Sequence, residues 1–133
     1  IKDQIEIIKD YQPIPLIDCS PGKLNQVFLN ILSNAIHAVN HNNRKEKVIT
    51  VRAYYKDKNV FISFADNGQG MSKEVQEKIF DPFFTTKDVG KGTGLGLSIS
   101  YGIIENHHGE ILVNSTPGQG SEFIIRLPVE QNP

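Results

Sequence analysis

Between Ser20 and Asn40 the chain reads as one long helix with two unlike sides. Leu24, Phe28, Ile31, Leu32, Ala35 and Val39 recur at helical spacing, and Gln26, Asn30, Asn34, His37 and His41 fall in a polar arc opposite them. Ser20 followed by Pro21 supplies the start signal, and the polar cluster from His41 to Lys47 ends the pattern. A stripe of that length needs an apolar layer to lie on, and the remaining sequence offers strands. Val48 to Tyr55 and Val60 to Ala65 alternate at period two around Asp57-Lys58-Asn59. Ile111 to Asn114 and Glu122 to Leu127 flank the turn-rich Thr116-Pro117-Gly118-Gln119-Gly120. Both pairs predict hairpins. Ile5 to Ile8 and Pro15 to Ile17, split by Gln12-Pro13, predict an edge strand or a further hairpin.

Two more helices are expected. Ser72 can cap a short one carrying Val75 and Ile79 that ends before Pro82. From Gly94 a longer one carries Leu95, Ile99 and Ile103 on one face and stops at Gly109, a residue suited to a left-handed C-cap. Clustered strands with interspersed helices predict an α+β fold, with one mixed or antiparallel sheet and the helices on a single face.

At 133 residues with 38% hydrophobic content, residues 1–133 are the size of one domain with one core. No apolar run approaches membrane-spanning length, and no secretory signal pattern is present. The 14 Lys plus Arg nearly balance 15 Asp plus Glu, and no basic patch stands out, so no nucleic-acid partner is expected. A lone cysteine, Cys19, leaves no partner for an intramolecular disulfide and fits a reducing, cytoplasmic setting. A first residue of Ile rather than Met suggests a piece of a longer protein.

Four stretches point to chemistry. Asn30 and Asn34 lie one turn apart on a helix face where Glu or Lys would be better helix formers, so either the face is merely solvated or the amides are used. A carboxamide oxygen is a neutral hard ligand, suited to Mg²⁺ that is otherwise held by phosphate and water. Next, Asp66-Asn67-Gly68-Gln69-Gly70-Met71 follows a strand. It is either a plain turn or a carboxylate that accepts from an amino group such as adenine N6, with glycines that let a flat ring approach. Third, Gly90-Lys91-Gly92-Thr93-Gly94-Leu95-Gly96-Leu97 opens a helix, where bare N–H groups meet a positive dipole end and favour phosphate. It is neither a Walker A loop, since Gly92 follows Lys91, nor a dinucleotide fingerprint, since Leu97 or Ile99 stands where the third glycine belongs. Between these, Phe80-Asp81-Pro82-Phe83-Phe84-Thr85-Thr86-Lys87 carries aromatics and then Lys87, with Lys91 and the glycines beyond, as a closing cover over a phosphate tail would.

In this order the motifs resemble the ATP-binding catalytic domain of sensor histidine kinases, in the superfamily shared with gyrase, the heat-shock-90 chaperones and MutL. Asn25 to Val39 resembles the family's N box, Asp66 to Met71 its first glycine box, Phe80 to Lys87 its F box and Gly90 to Ser100 its second glycine box. Gly118 to Phe123 is similar to the motif before its last strand. The style of the N and F boxes is most like the nitrogen-regulator and dicarboxylate-sensor type. The resemblance implies a Bergerat-type two-layer sandwich, a mostly antiparallel sheet with about three helices on one face, and a mobile lid from about Asp81 to Thr93.

By the same resemblance Asn34, assisted by Asn30, holds Mg²⁺, Asp66 accepts the adenine N6 hydrogen bond, and Gly68 and Gly70 admit the ring. Gly92, Thr93, Gly94, Leu95, Gly96 and Leu97 form the phosphate end, Ser121 supports the adenine, and Lys87 reaches the γ-phosphate. His37 stands where a phosphate contact is plausible, and an imidazole there would make it pH-dependent. Hydrolytic relatives carry Glu where this chain has Asn30, and an amide cannot take up a proton as a general base. Asn30 thus argues against a MutL-like ATPase, the F box against an anti-sigma-factor serine kinase, and intact Asn34, Asp66 and glycines against a non-catalytic docking module, so a histidine kinase is expected. No histidine here precedes an acidic residue, so the phosphoacceptor is expected upstream, in a dimerisation domain serving a downstream response regulator. The parent is expected to be a homodimer, with its membrane anchoring open.

Overall fold

The computed structural model describes residues 4–42, 44–84 and 96–131. Five strands, β1 (Ile5–Tyr11), β2 (Lys47–Lys56), β3 (Asn59–Asp66), β4 (Glu110–Thr116) and β5 (Gly120–Pro128), form one sheet in the order β1-β2-β3-β5-β4. All neighbours are antiparallel except β1, which runs parallel to β2 at the edge. The first segment is thus an edge strand and not a hairpin, because the stretch after Tyr11 carries no second strand. Helices α1 (Pro21–Asn40), α2 (Lys73–Gln76) and α3 (Gly96–Asn106) cover one face.

Register explains that face. Val51, Phe64 and Phe123 stand opposite one another across β2, β3 and β5, as do Val60 with Leu127 and Ile62 with Ile125. Side chains directly opposite across a ladder share a side of the sheet, so these residues form a single apolar floor. Onto it α1 lays Leu24, Val27, Ile31, Ala35 and Val39, all buried. Phe80 links α2's end to the core through Phe123, with the rings edge-on at 6.4 Å. On the opposite side of the sheet Tyr54 stacks on Phe61 at 5.1 Å.

The β2–β3 hairpin turns through Asp57 and Lys58, both at positive φ, the conformation that matches the strands' own twist. Ser72 caps α2 as expected, its Oγ accepting from the Val75 N–H at 3.2 Å. Ser20 has the extended backbone of an N-cap, but its side chain makes no capping bond. Its N–H donates instead to Nε2 of the buried His107 at 3.1 Å.

At the end of α3 the left-handed residue is His108, not Gly109. The Gly109 N–H reaches Ile104 O and the His108 N–H reaches Glu105 O, both at 2.9 Å, which is the pair of bonds that closes a Schellman motif. Gly109 is required for a different reason, since a Cβ there would meet Arg126 O at 2.2 Å. The buried face of α3 is also shifted. Ser100 and Ile104 are fully buried, whereas Ile99 is 42% exposed. Gly102 sits inside α3 with nothing within 4 Å of a built Cβ. Gly102→Ala is therefore expected to stabilise the fold by about 0.5–1 kcal/mol, seen as a rise of a few degrees in Tm. A lower Tm would mean that this helix depends on the bare backbone.

Candidate functional site

The apolar floor ends in polar residues. Asp66, the last residue of β3, lies opposite Ser121 on β5, and Ser121 lies opposite Ser115 on β4. All three therefore point to the helix side at one end of the sheet. Asp66 is 9% exposed, and its Oδ1 accepts the Gly68 N–H at 2.8 Å. Burial pushes its carboxyl above the usual value, and the backbone N–H groups of Gly68 and Ser121 pull against that without cancelling it. Ser115 and Ser121 share a hydroxyl hydrogen bond at 2.8 Å, and Ser115 Oγ also accepts from the Met71 N–H at 2.8 Å. Ser115 had no signal in the sequence, since only strand register brings it to Ser121.

Glycines set how closely the surrounding segments approach. A Cβ on Gly68 would lie 2.7 Å from the Ala38 backbone, so the loop after β3 rests directly on α1. Gly70, at φ +72°, faces Thr116 O in the same way. The two glycines expected to admit a ring are thus already fixed by packing within the chain. A clamp holds the corner from outside. Arg44 donates to Asn67 O at 3.2 Å, to Gln119 O at 3.5 Å and to Gly118 O, and Asn42 Nδ2 donates to Asn67 O at 2.8 Å. Asn67 in turn accepts from the Val48 N–H at 2.9 Å and donates to Glu46 O at 3.0 Å. Asn42 and Arg44, from the polar cluster after α1, are what tie the Asp66 turn to the β4–β5 turn.

Along α1, Ala38, Asn34 and Asn30 form a row at i, i−4 and i−8, spanning about 12 Å at 1.5 Å per residue. One end of the row touches Gly68 and the other touches α3. Asn34, in the middle, is half-buried, and its side chain makes no hydrogen bond among the described residues. Asn30 Nδ2 donates to Gly96 O at 3.1 Å and to Ser100 Oγ at 3.2 Å. His37 is half-buried on the same helix, its ring 4.1 Å from that of His41, whose Nδ1 bonds the His37 carbonyl. No group of three or more His, Cys, Asp and Glu suited to a metal occurs among the described residues. The oxygen ligands offered along this row of α1 are the neutral amides of Asn30 and Asn34.

Of the residues expected at the phosphate end, Gly96 starts the described part of α3 and Leu97 packs against the core. Lys87, Gly92, Thr93, Gly94 and Leu95 lie outside the described residues. Of the expected cover, Phe84 packs on the core, while Phe83 is 72% exposed at φ 67°. Far from this corner, at the other end of α1 and α3, a cavity of about 330 Å³ is lined by Cys19, Lys23, Ile103 and His107 among others. Among the described residues no helix is long and apolar enough to cross a membrane.

Residues 19–131 match the family described as histidine kinase-, DNA gyrase B- and HSP90-like ATPases. The chain belongs to that family. It is 45% identical to sporulation kinase E of Bacillus subtilis over 132 residues, which is 99% of this chain and 17% of that protein. It is 47% identical to the signal transduction histidine-protein kinase AtoS of Escherichia coli over 106 residues, 80% of this chain and 17% of AtoS. The chain therefore spans about a sixth of the length of these relatives. Among solved structures, the nucleotide-free catalytic domain of the histidine kinase ThkA superposes with TM-score 0.81 at 32% identity, over 96% of this chain and 80% of that one. Full-length ShkA in complex with AMPPNP gives 0.82 at 30% identity, over 95% of this chain and 26% of that one. The mixed sheet with helices on one face is thus the fold of histidine kinase catalytic domains.

Proposed function

We propose that this chain is the ATP-binding catalytic domain of a two-component sensor kinase, which binds Mg-ATP and donates the γ-phosphoryl group to a histidine on a separate dimerisation domain. The observation that carries the reading is the row on α1. It joins a buried carboxylate corner, able to accept from an adenine amino group, to the start of α3, and between the two lies the Asn34 amide, which has no hydrogen-bond partner among the described residues. Asp66 is held by backbone N–H groups and so presents its remaining lone pairs to a base, with the Ser121 hydroxyl beside it. The kinase names of the relatives and the nucleotide bound by ShkA support the same chemistry.

Asn34, with Asn30 Oδ1 one turn away, offers the neutral oxygens that suit Mg²⁺ on a polyphosphate. When bound, the ion neutralises charge on the phosphates and orients them. In transfer, the bond from the γ-phosphorus to the β–γ bridging oxygen breaks, a bond to an imidazole nitrogen forms, and ADP leaves. Asn30 cannot accept a proton, so water is not activated and hydrolysis is slow. Transfer by this chain alone is absent because positioning needs the acceptor domain. The parent would be a homodimer passing phosphoryl to a response regulator.

The test is a calorimetric ATP titration with and without Mg²⁺, with phosphate release followed in the same sample. Binding with negligible release is expected. Rapid release would favour a MutL-like ATPase, and no binding would leave a docking module. Asn34→Ala is expected to remove most of the Mg²⁺-dependent part of the affinity with Tm unchanged, because its side chain makes no hydrogen bond among the described residues. Unchanged Mg²⁺ dependence would sink the metal assignment.

A further inference from the structure

The meeting of α1 and α3 holds more polar organisation than a metal site requires. Asn30 directs its amide nitrogen into α3, where Nδ2 donates to Gly96 O and to Ser100 Oγ. Ser100 Oγ closes the triangle by donating to Gly96 O at 2.9 Å. Ser100 is 0% exposed in the middle of a helix, where serine is a poorer helix former than alanine and a bond to the i−4 carbonyl is slightly unfavourable. Its buried hydroxyl is satisfied at both ends, donating to Gly96 O and accepting from the Asn30 amide.

We propose that Asn30 and Ser100 are positioning residues: together they lock the first described turn of α3 against α1, and they do so without a metal. Gly96 is where the lock acts, since its carbonyl accepts from both side chains, and Asn30's amide lies against it at about Cβ contact distance, 3.8–4.0 Å. The consequence for the site rests on the nucleotide reading, because α3 begins at the phosphate end. The lock itself does not rest on it, and it can be read in the protein with no nucleotide present.

Two variants separate the roles. Asn30→Asp keeps an oxygen ligand for Mg²⁺ but removes both N–H donors, and it sets a carboxylate against the Gly96 carbonyl. Ser100→Ala removes the hydroxyl and touches no ligand position. In nucleotide-free protein each is expected to speed amide hydrogen exchange at residues 100–103 by about tenfold, with β3 and β5 unchanged, since each loses one or two part-buried hydrogen bonds. The double variant should exchange no faster than the faster single one, because the two changes break one unit. Ser100→Cys, which keeps a donor and acceptor at the same atom, should recover part of the protection. Ser100→Ala should also weaken ATP several-fold, by the same factor with and without Mg²⁺. Unchanged exchange in α3 for Asn30→Asp, or additive effects in the double variant, overturns the lock. So does an ATP defect confined to Asn30→Asp in Mg²⁺ alone. Wild-type protein that fails to bind ATP would remove the nucleotide reading, while the exchange experiment still decides the lock.

Discussion

Replacing Asp66 by Asn is expected to weaken ATP binding at neutral pH by about 10- to 100-fold, the loss that follows when a hydrogen bond to a charged acceptor becomes a neutral one. Stability should barely move, or should rise. Burial raises the Asp66 carboxyl above its unfolded value, so the fold works against the ionised form even with Gly68 and Ser121 donating to it. A raised carboxyl contributes stability that is complete below the unfolded value near 3.8 and is lost as pH rises through the higher folded value. Every other carboxylate is common to both proteins. The wild-type stability minus that of Asp66→Asn should therefore fall across that window and stay flat above it, as urea denaturation at a series of pH values would show. A calorimetric titration supplies the other half, and equal ATP affinity in the two proteins would refute the adenine role.

That pairing of lost binding with retained stability belongs to a site residue and not to a core one. Most of the scaffold behind it was legible in the sequence because it is periodic. The α1 stripe from Leu24 to Val39 and the alternation in β2 to β5 state which faces are covered. The proposed site residues stand out in the sequence for other reasons: Asn30 and Asn34 are poor helix formers one turn apart on a helix face, and Asp66 is a carboxylate at a strand end followed by two glycines. The closing of the corner was not legible. Arg44, Asn42 and Asn67 act through backbone carbonyls of loops far apart in sequence, and nothing in a residue's identity says which carbonyl it will meet. Of the face expected for α3, Ile103 packs on the core but Ile99 is exposed, and the fully buried position is Ser100, whose hydroxyl is hydrogen-bonded to Asn30 and Gly96. His108 takes the left-handed position that glycine would suit, because the glycine is needed one residue later against Arg126.

Glycine freedom and glycine packing can be separated at the β4–β5 turn, where the largest stability effect is expected. Gly118 and Gly120 both have positive φ, +79° and +130°, but only one of them is crowded. A Cβ on Gly118 meets nothing within 4 Å, so Gly118→Ala should cost only the left-handed backbone strain, about 1–2 kcal/mol. A Cβ on Gly120 would sit 2.0 Å from Asp66 O and 3.0 Å from its carbonyl carbon. Neither is the end of a flexible side chain, so β5 must move away from β3 at the rung where Ser121 faces Asp66. Strain and overpacking together should cost about 3–5 kcal/mol, a large share of the roughly 5–15 kcal/mol that holds a domain folded. Urea midpoints should therefore order wild type, Gly118→Ala and then Gly120→Ala, with the second gap the wider. What remains folded of Gly120→Ala should also bind ATP poorly, because the displaced strand takes Ser121 and the Ser121 N–H away from the Asp66 carboxylate. Two variants of equal stability would mean that the turn is governed by backbone conformation alone and that the close approach of the strands at Asp66 is not what holds this end of the sheet.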